Sequence, residues 1–404
     1  MEIIAHYGMI FVALSIILGL HVTWSVGAHG AVHIMGIVTD SNPVRIRTSR
    51  VIVVISGLLG AVLVGGPVTA TLQHQLLFSQ AFTDRPEWLV YSMLATLLAT
   101  SIWMVLAAAK GWPVVATQAV VGAMAGVALL TMGRHAIQWY VIGSILMAWV
   151  LFPLLAGLLA WLLMRTVFWL VLDHPQPCLQ ARRIIPFFLF GVAVWITETG
   201  LQYGLHHFHI DLAGWLWPSA LLVGWLVARA SRVLLTGVET AAQVDTLFAV
   251  VMPFAGAAMA FAYGSNEVAN GVAPMTAVIT AVATEQRSIG PLLIGAVGMM
   301  AGLAAYGYHV MTATGAQRHV LASARGFCAI LAAAVTVLTA TRMGLPVPTG
   351  YIVTVAVMGS MKASGTASLD FRVIGAIVTS WIVTWPVTAV LATLLFLLFK
   401  GLFS

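Results

Sequence analysis

Charge is what this sequence has least of. Of its 404 residues, 18 are Lys or Arg and 12 are Asp or Glu, together 7%. A soluble domain carries about a quarter. So few charged side chains cannot cover a water-facing globule. Cysteine is scarcer still: Cys178 and Cys328 imply neither a disulfide scaffold nor a thiolate metal site. The chain carries no P-loop, nucleophile elbow, Gly-rich dinucleotide turn or nucleic-acid motif. ATP energy would therefore have to come from another chain, and no nucleic-acid partner is expected. The N-terminal apolar stretch has no basic leader or small-residue cleavage site, so it reads as a retained helix.

What fills the chain instead is apolar. Hydrophobic residues make up 61% and the mean hydropathy is +1.02. An all-α polytopic membrane protein follows, with the lipid bilayer as its solvent and room for roughly ten to twelve helices at about 20 residues per crossing. The net charge of +6 falls mainly in short connections, at Arg45, Arg47 and Arg50 and again at Arg182 and Arg183, as topological anchors do.

Apolar spans fall near 7–26, 51–70, 88–110, 114–132 and 138–171, up to a polar break at Asp173-His-Pro-Gln-Pro-Cys. A middle pair near 185–204 and 213–235 precedes spans near 246–263, 289–311, 320–341, 346–361 and 373–400. The expected division is a first repeat over 1–172, a linker with middle helices over 173–240, and a second repeat over 241–404.

Polar residues inside these spans carry the chemistry. Phe261 to Pro274, FAYGSNEVANGVAP, sets Asn266, Glu267 and Asn270 in apolar sequence, and a carboxylate there needs a job or a partner. A degenerate copy, SVGAHGAVHIMGI from Ser25 to Ile37, places His29 and His33 at the positions of Asn266 and Asn270, 237 residues earlier. A second pair, Gly111-Trp-Pro-Val-Val-Ala-Thr-Gln and Gly344-Leu-Pro-Val-Pro-Thr-Gly-Tyr, repeats at 233 residues, and Trp149 and Pro153 are echoed by Trp381 and Pro386. Two half-copies of one site suggest a transporter built from inverted repeats. Glycines such as Gly57, Gly60, Gly295 and Gly302 read as close helix packing.

Gly and Pro inside a membrane segment free backbone groups, which are tolerated only against protein or a cavity. Pro113 and Pro346 are expected to start half-helices, whose freed N-terminal amides favour an anion. Thr117 and Thr349 are the leading candidates for anion contacts, with Gln118 and Tyr351 beside them. The alternative for each Thr is a bond back to its own helix.

The paired motifs resemble those of the PiT family of inorganic phosphate transporters, whose two inverted repeats each carry a GANDVANA-type and a G-x-P-V-S-T-T-H-type motif. GSNEVANGVAP is the specific match, and the likeness covers both ends of the chain but not the middle. It implies that Asn266, Glu267 and Asn270 help build a substrate and coupling-cation site near the midplane, with sodium, if used, at Glu267 and Asn266. It further implies a cation-coupled symporter of phosphate in a bacterial inner membrane, with no cofactor beyond the coupling ion, H+ or Na+; a homodimer is left open. In this chain Gly30 replaces the acid of the first motif, His29 and His33 its asparagines, and Glu267 the aspartate of the second. With one carboxylate in place of two, sulfate is the alternative anion, since the superfamily includes sulfate permeases.

Either ion could use an intramembrane carboxylate, and His29 and His33, four residues apart, can titrate near neutral pH. Transport is therefore expected to respond to external pH, with Glu267 the principal carrier. Glu198 reads as a helix-end residue near the interface, with a proton relay as its alternative. His206, His207 and His209 with Asp211 read as an interfacial loop in preference to a metal cluster, and Gln243 and Asp245 as caps. From a different functional class, an intramembrane metalloenzyme using His29, His33 and Glu267 remains an alternative, disfavoured because hydrolysis does not call for duplicated half-sites. The anion is expected between broken segments at 27–36 with 111–118 and 264–274 with 344–351.

Overall fold

A computed structural model describes residues 2–38, 43–77, 82–110, 112, 115–207, 213–236, 244–283, 289–313, 324–365 and 371–403. The described residues are helical almost throughout. In the first part, α1 spans Glu2–Val38, α2 Pro43–Val64, α3 Gly66–Ala70, α4 Pro86–Lys110, α5 Ala116–Met132 and α6 Trp139–Val167. The middle pair is α7, Pro177–His207, and α8, Leu216–Thr236. The second part holds α9 Val244–Glu267, α10 Ala269–Ala283, α11 Gly290–Ala313, α12 Ala324–Arg342, α13 Thr349–Ala363 and α14 Phe371–Phe403.

Among the described residues, eight helical spans are long and apolar enough to cross a membrane, and a ninth forms if Arg50–Val64 and Gly66–Gln75 count as one span bent by 51°. Ala116–Met132 and Gly290–Ala305 are apolar but shorter. The spans differ in what surrounds them. Residues of α4, α9, α10 and α12 are mostly buried, whereas α1, α7, α8 and α14 turn large apolar side chains outward, as a lipid-facing shell around a protein-filled centre would.

The packing is reciprocal. Helix α1 packs along α11 while α2 packs along α9; α5 packs on α14 while α6 packs on α13. Each half thus embraces the other. Glycines at matching places make these crossings close. A Cβ on Gly60 would strike the Phe261 carbonyl, and one on Gly302 the Trp24 carbonyl. Likewise Gly126 faces Ala389, and Gly359 faces Gly157. Close approach of this kind stands in for the hydrophobic drive that lipid does not supply.

Three expectations need correction. Residues 27–36 are not a break: α1 runs as one helix to Val38, because nothing from Ser25 to Ile37 removes a backbone donor as proline would. Pro346 does not open a half-helix, since α13 begins at Thr349 with Pro348 as its N-cap. Residues 344–348 are instead a non-helical segment entered through a turn at Gly344, φ +69. Glu198 lies inside α7, 5% exposed, because Arg342 supplies a partner there. By contrast α9 and α10 do part within the expected 264–274 stretch, at Val268. Pro113, His209, Asp211 and Gln243 lie outside the described residues, as do the side chains of His33, His206 and His207. Asp245 sits in the first turn of α9.

Substituting Gly302 by Val should therefore force α11 off α1 and cost about 1–3 kcal/mol, read as a lower melting temperature in detergent. Gly143, with nothing within 4 Å of a built Cβ, should accept Ala with no measurable loss. Equal behaviour of the two variants would refute the close-crossing argument.

Candidate functional site

Glu267 ends α9 and is 3% exposed. Its two carboxylate oxygens gather four hydrogen bonds. The Thr349 hydroxyl donates to Oε1 at 2.5 Å and the Thr349 backbone N–H to the same atom at 3.4 Å. The Asn270 amide donates to Oε2 at 2.6 Å, and the Thr117 hydroxyl to Oε2 at 3.4 Å. Two of these contacts are short and two lie at 3.4 Å, so the carboxylate is held by neutral donors with acceptor capacity left over. Among the described residues no ion pair reaches it.

Local sequence explains the donor set. Asn270 lies three residues beyond Glu267, on the same helical face across the Val268 turn. Thr349 is the first residue of α13, so its N–H has no partner four residues back, and the positive end of the helix dipole meets a negative charge. Thr117 sits in the first turn of α5 and reaches in from the first half. Most described threonines bond a carbonyl of their own helix, as Thr96 does to Ser92 and Thr336 to Ala332. Thr117 and Thr349 give their hydroxyls to Glu267 instead.

Asn266 does something different. Its Oδ1 accepts from the Val347 N–H at 3.0 Å, and its Nδ2 donates to the Thr341 hydroxyl and the Leu345 carbonyl, each at 3.0 Å. Both ends of the amide are engaged with the 344–348 segment, so in this conformation Asn266 clamps that segment to α9. The other sequence candidates are placed as follows. His29 Nδ1 lies 2.7 Å from the Ser25 carbonyl. Gln118 is buried with no hydrogen-bond partner on either side-chain atom, and the Asn270 Oδ1 is equally unpartnered. Tyr351 is 6% exposed, one turn into α13.

A cavity of about 40 Å³ opens onto Glu267, room for about three waters at 10–15 Å³ each. Its walls include His29, Gly30, Ala116, Tyr263 and Thr349, so both halves of the chain contribute. Two residues that the sequence did not single out matter here. Thr341 holds Asn266; a hydroxyl at the end of an apolar helix gave little warning of that. Tyr263 explains the missing acid. Its hydroxyl donates to the Val26 carbonyl at 2.7 Å, and a Cβ on Gly30 would collide with its phenol ring. The tyrosine fills the space a side chain at position 30 would need. Its place four residues before Glu267, hence on the same face, was the available signal.

Accordingly, Gly30→Asp alone should destabilise the fold by about 1–3 kcal/mol through overpacking, and the same substitution should cost clearly less in a Tyr263→Ala background, read from paired thermal melts. Failure of the second substitution to relieve the first would show that Tyr263 is not what keeps position 30 as glycine.

Comparison with known proteins agrees with this geometry over nearly the whole chain. Residues 26–392 match the family described as "Phosphate transporter family". A Haemophilus influenzae protein named "Putative phosphate permease" is 31% identical over 424 residues, covering all of both chains. A Pyrococcus horikoshii protein under the same description is 29% identical over 399 residues, 96% of this chain and 97% of its own. A solved structure described as "The sodium-dependent phosphate transporter" superposes with a TM-score of 0.86 at 25% identity, covering 97% of this chain and 99% of that one. These are transporters, which displaces the metalloenzyme alternative. With its motif pair, its reciprocal halves and a family match over almost its full length, the chain belongs to the phosphate transporter family.

Proposed function

We propose that this protein is a cation-coupled symporter that carries inorganic phosphate across a bacterial inner membrane, with Glu267 holding the coupling ion. One observation carries the reading: a carboxylate buried at a helix junction, held by neutral donors and facing a cavity shared by both halves. Neutral donors hold the carboxylate in place, and a buried acid with no ion-pair partner among the described residues is a place for a cation to arrive. Oxygen atoms surround it: the hydroxyls of Thr117 and Thr349 and the unpartnered Oδ1 of Asn270. Hard cations prefer such a set. Sodium is therefore the first choice of coupling ion, in keeping with the solved relative, which is named a sodium-dependent phosphate transporter.

A proton is the second reading, favoured by His29 on the cavity wall, since an imidazole can both accept and donate one. For the anion, a bound cation at Glu267 would cancel the repulsion that the carboxylate otherwise exerts. The hydroxyl that distinguishes hydrogenphosphate from sulfate can donate to Glu267, and sulfate has none to offer. Alternating exposure of one shared cavity by two inverted halves gives the transport cycle its physical basis.

Uptake of radiolabelled phosphate into proteoliposomes tests the whole reading. An inward sodium gradient should drive uptake at fixed pH, and excess sulfate should compete poorly. Glu267→Gln should cut uptake at least tenfold and abolish its dependence on the gradient, while Thr349→Val should weaken ion dependence several-fold. Should Glu267→Gln leave uptake and gradient dependence intact, the assignment is wrong; drive by a proton gradient alone would select the second reading.

A further inference from the structure

The middle helix α7 carries a socket for one side chain of the second half, which the paired motifs do not account for. Arg342 is the last residue of α12. Its guanidinium is paired with Glu198, donates to the Thr199 hydroxyl at 3.1 Å and to the Gln202 side-chain oxygen at 2.9 Å, and lies 4.5 Å from the centre of the Trp195 ring. The Arg342 backbone carbonyl accepts from the Tyr203 hydroxyl at 3.1 Å. Residues 195, 198, 199, 202 and 203 form one stripe of a helix, so a single face of α7 grips a single residue from charge to backbone. Glu198 is 5% exposed, and a buried carboxylate without that guanidinium would be costly.

The position gripped is informative. Immediately before Arg342, Thr341 accepts from the Asn266 amide; immediately after it the chain turns through Gly344 into the segment whose Leu345 carbonyl and Val347 N–H meet Asn266. Two residues further on, Thr349 meets Glu267. Five residues of non-helical chain with few internal hydrogen bonds cannot set their own position. Asn266 and the Trp149 indole together anchor the body of this segment, and its entry from α12 needs a second anchor.

We propose that the α7 socket is that second anchor: by holding Arg342 it sets where the 344–348 segment runs, and so where Thr349 presents its donors to Glu267. Glu198 and Arg342 are positioning residues for the ion site and contact neither ion nor anion. This rests on the transport reading for its kinetic consequence but not for its structural one, which separates the tests.

Hydrogen exchange read by mass spectrometry on the full chain in detergent gives the structural arm. Arg342→Gln should raise exchange at least tenfold over 343–349 while leaving the distal half of α12 protected. Tyr203→Phe, which removes one hydroxyl and no charge, should raise it about threefold, and keeps the test available if Arg342→Gln does not fold. In proteoliposomes the same variants should raise the phosphate KM more than they lower the maximal rate, with Arg342→Lys partly restoring both arms. Unchanged exchange at 343–349 in Tyr203→Phe, or a uniform rise throughout α7 and α12, would overturn the proposal. A wild-type protein that takes up no phosphate would instead defeat the transport reading, with the exchange result still standing.

Discussion

A buried carboxylate with no ion-pair partner among the described residues is the constraint on which the rest of this structure turns. Placing an acid at membrane depth costs about 2.5–3.5 kcal/mol even on permissive scales. Hydrogen bonds to a charged group contribute about 1.5–3 kcal/mol each. Glu267 has four of them, from Thr349 twice, Asn270 and Thr117. Those donors come from three helices, α5, α10 and α13, so the acid can be kept only if the three ends are brought to one point. The short turn at Val268 and the non-helical segment before Thr349 are what bring them there.

Bringing them there leaves backbone groups outside any helix, and the solution is local. The 344–348 segment is buried, and buried N–H and C=O groups need partners. The Val347 N–H and Leu345 carbonyl are met by Asn266, the Pro346 carbonyl by the Trp149 indole at 2.9 Å, and the Leu345 N–H by the Ala340 carbonyl at 2.9 Å. Trp149 is 1% exposed on α6 and packs against Trp381 and Trp385 of α14. The aromatic echo visible in the sequence thus includes a support for the interruption beside the acid.

Much of this was legible in the residues because membrane physics leaves few options. Unbroken apolar spans, their polar interruptions and the reappearance of GxPV had to mean helices with buried breaks, and Asn270, Thr117 and Thr349 do gather at Glu267. What escaped reading was anything that depended on a partner distant in sequence. Glu198 looked like an interfacial residue because nothing near it in the chain hints at Arg342. The first motif looked broken by analogy with the second, yet lacks any residue that stops a helix. Tyr263 could be placed on the face of Glu267 by spacing alone, but not against Gly30, 233 residues earlier. Asn266 and Asn270 read alike in the sequence and differ in the fold, since one engages its whole amide with the backbone segment and the other engages only its donor.

The two halves are therefore alike as scaffolds and unlike in chemistry. Close helix crossings recur in matching pairs: Gly60 on Phe261 with Gly302 on Trp24, Gly126 on Ala389 with Gly359 on Gly157. The groups around Glu267 do not recur. Thr117 corresponds in the motif to Gly350, and Thr349 to Ala116, so the two hydroxyls converge on one acid from non-equivalent positions. At the place where a second acid would complete the symmetry, Gly30 makes room for a tyrosine that belongs to the other half. A duplicated scaffold keeps a cavity lined by both halves whichever side chains face it. Its chemistry is free to collapse onto one carboxylate, provided that both halves supply donors to it, and here both do.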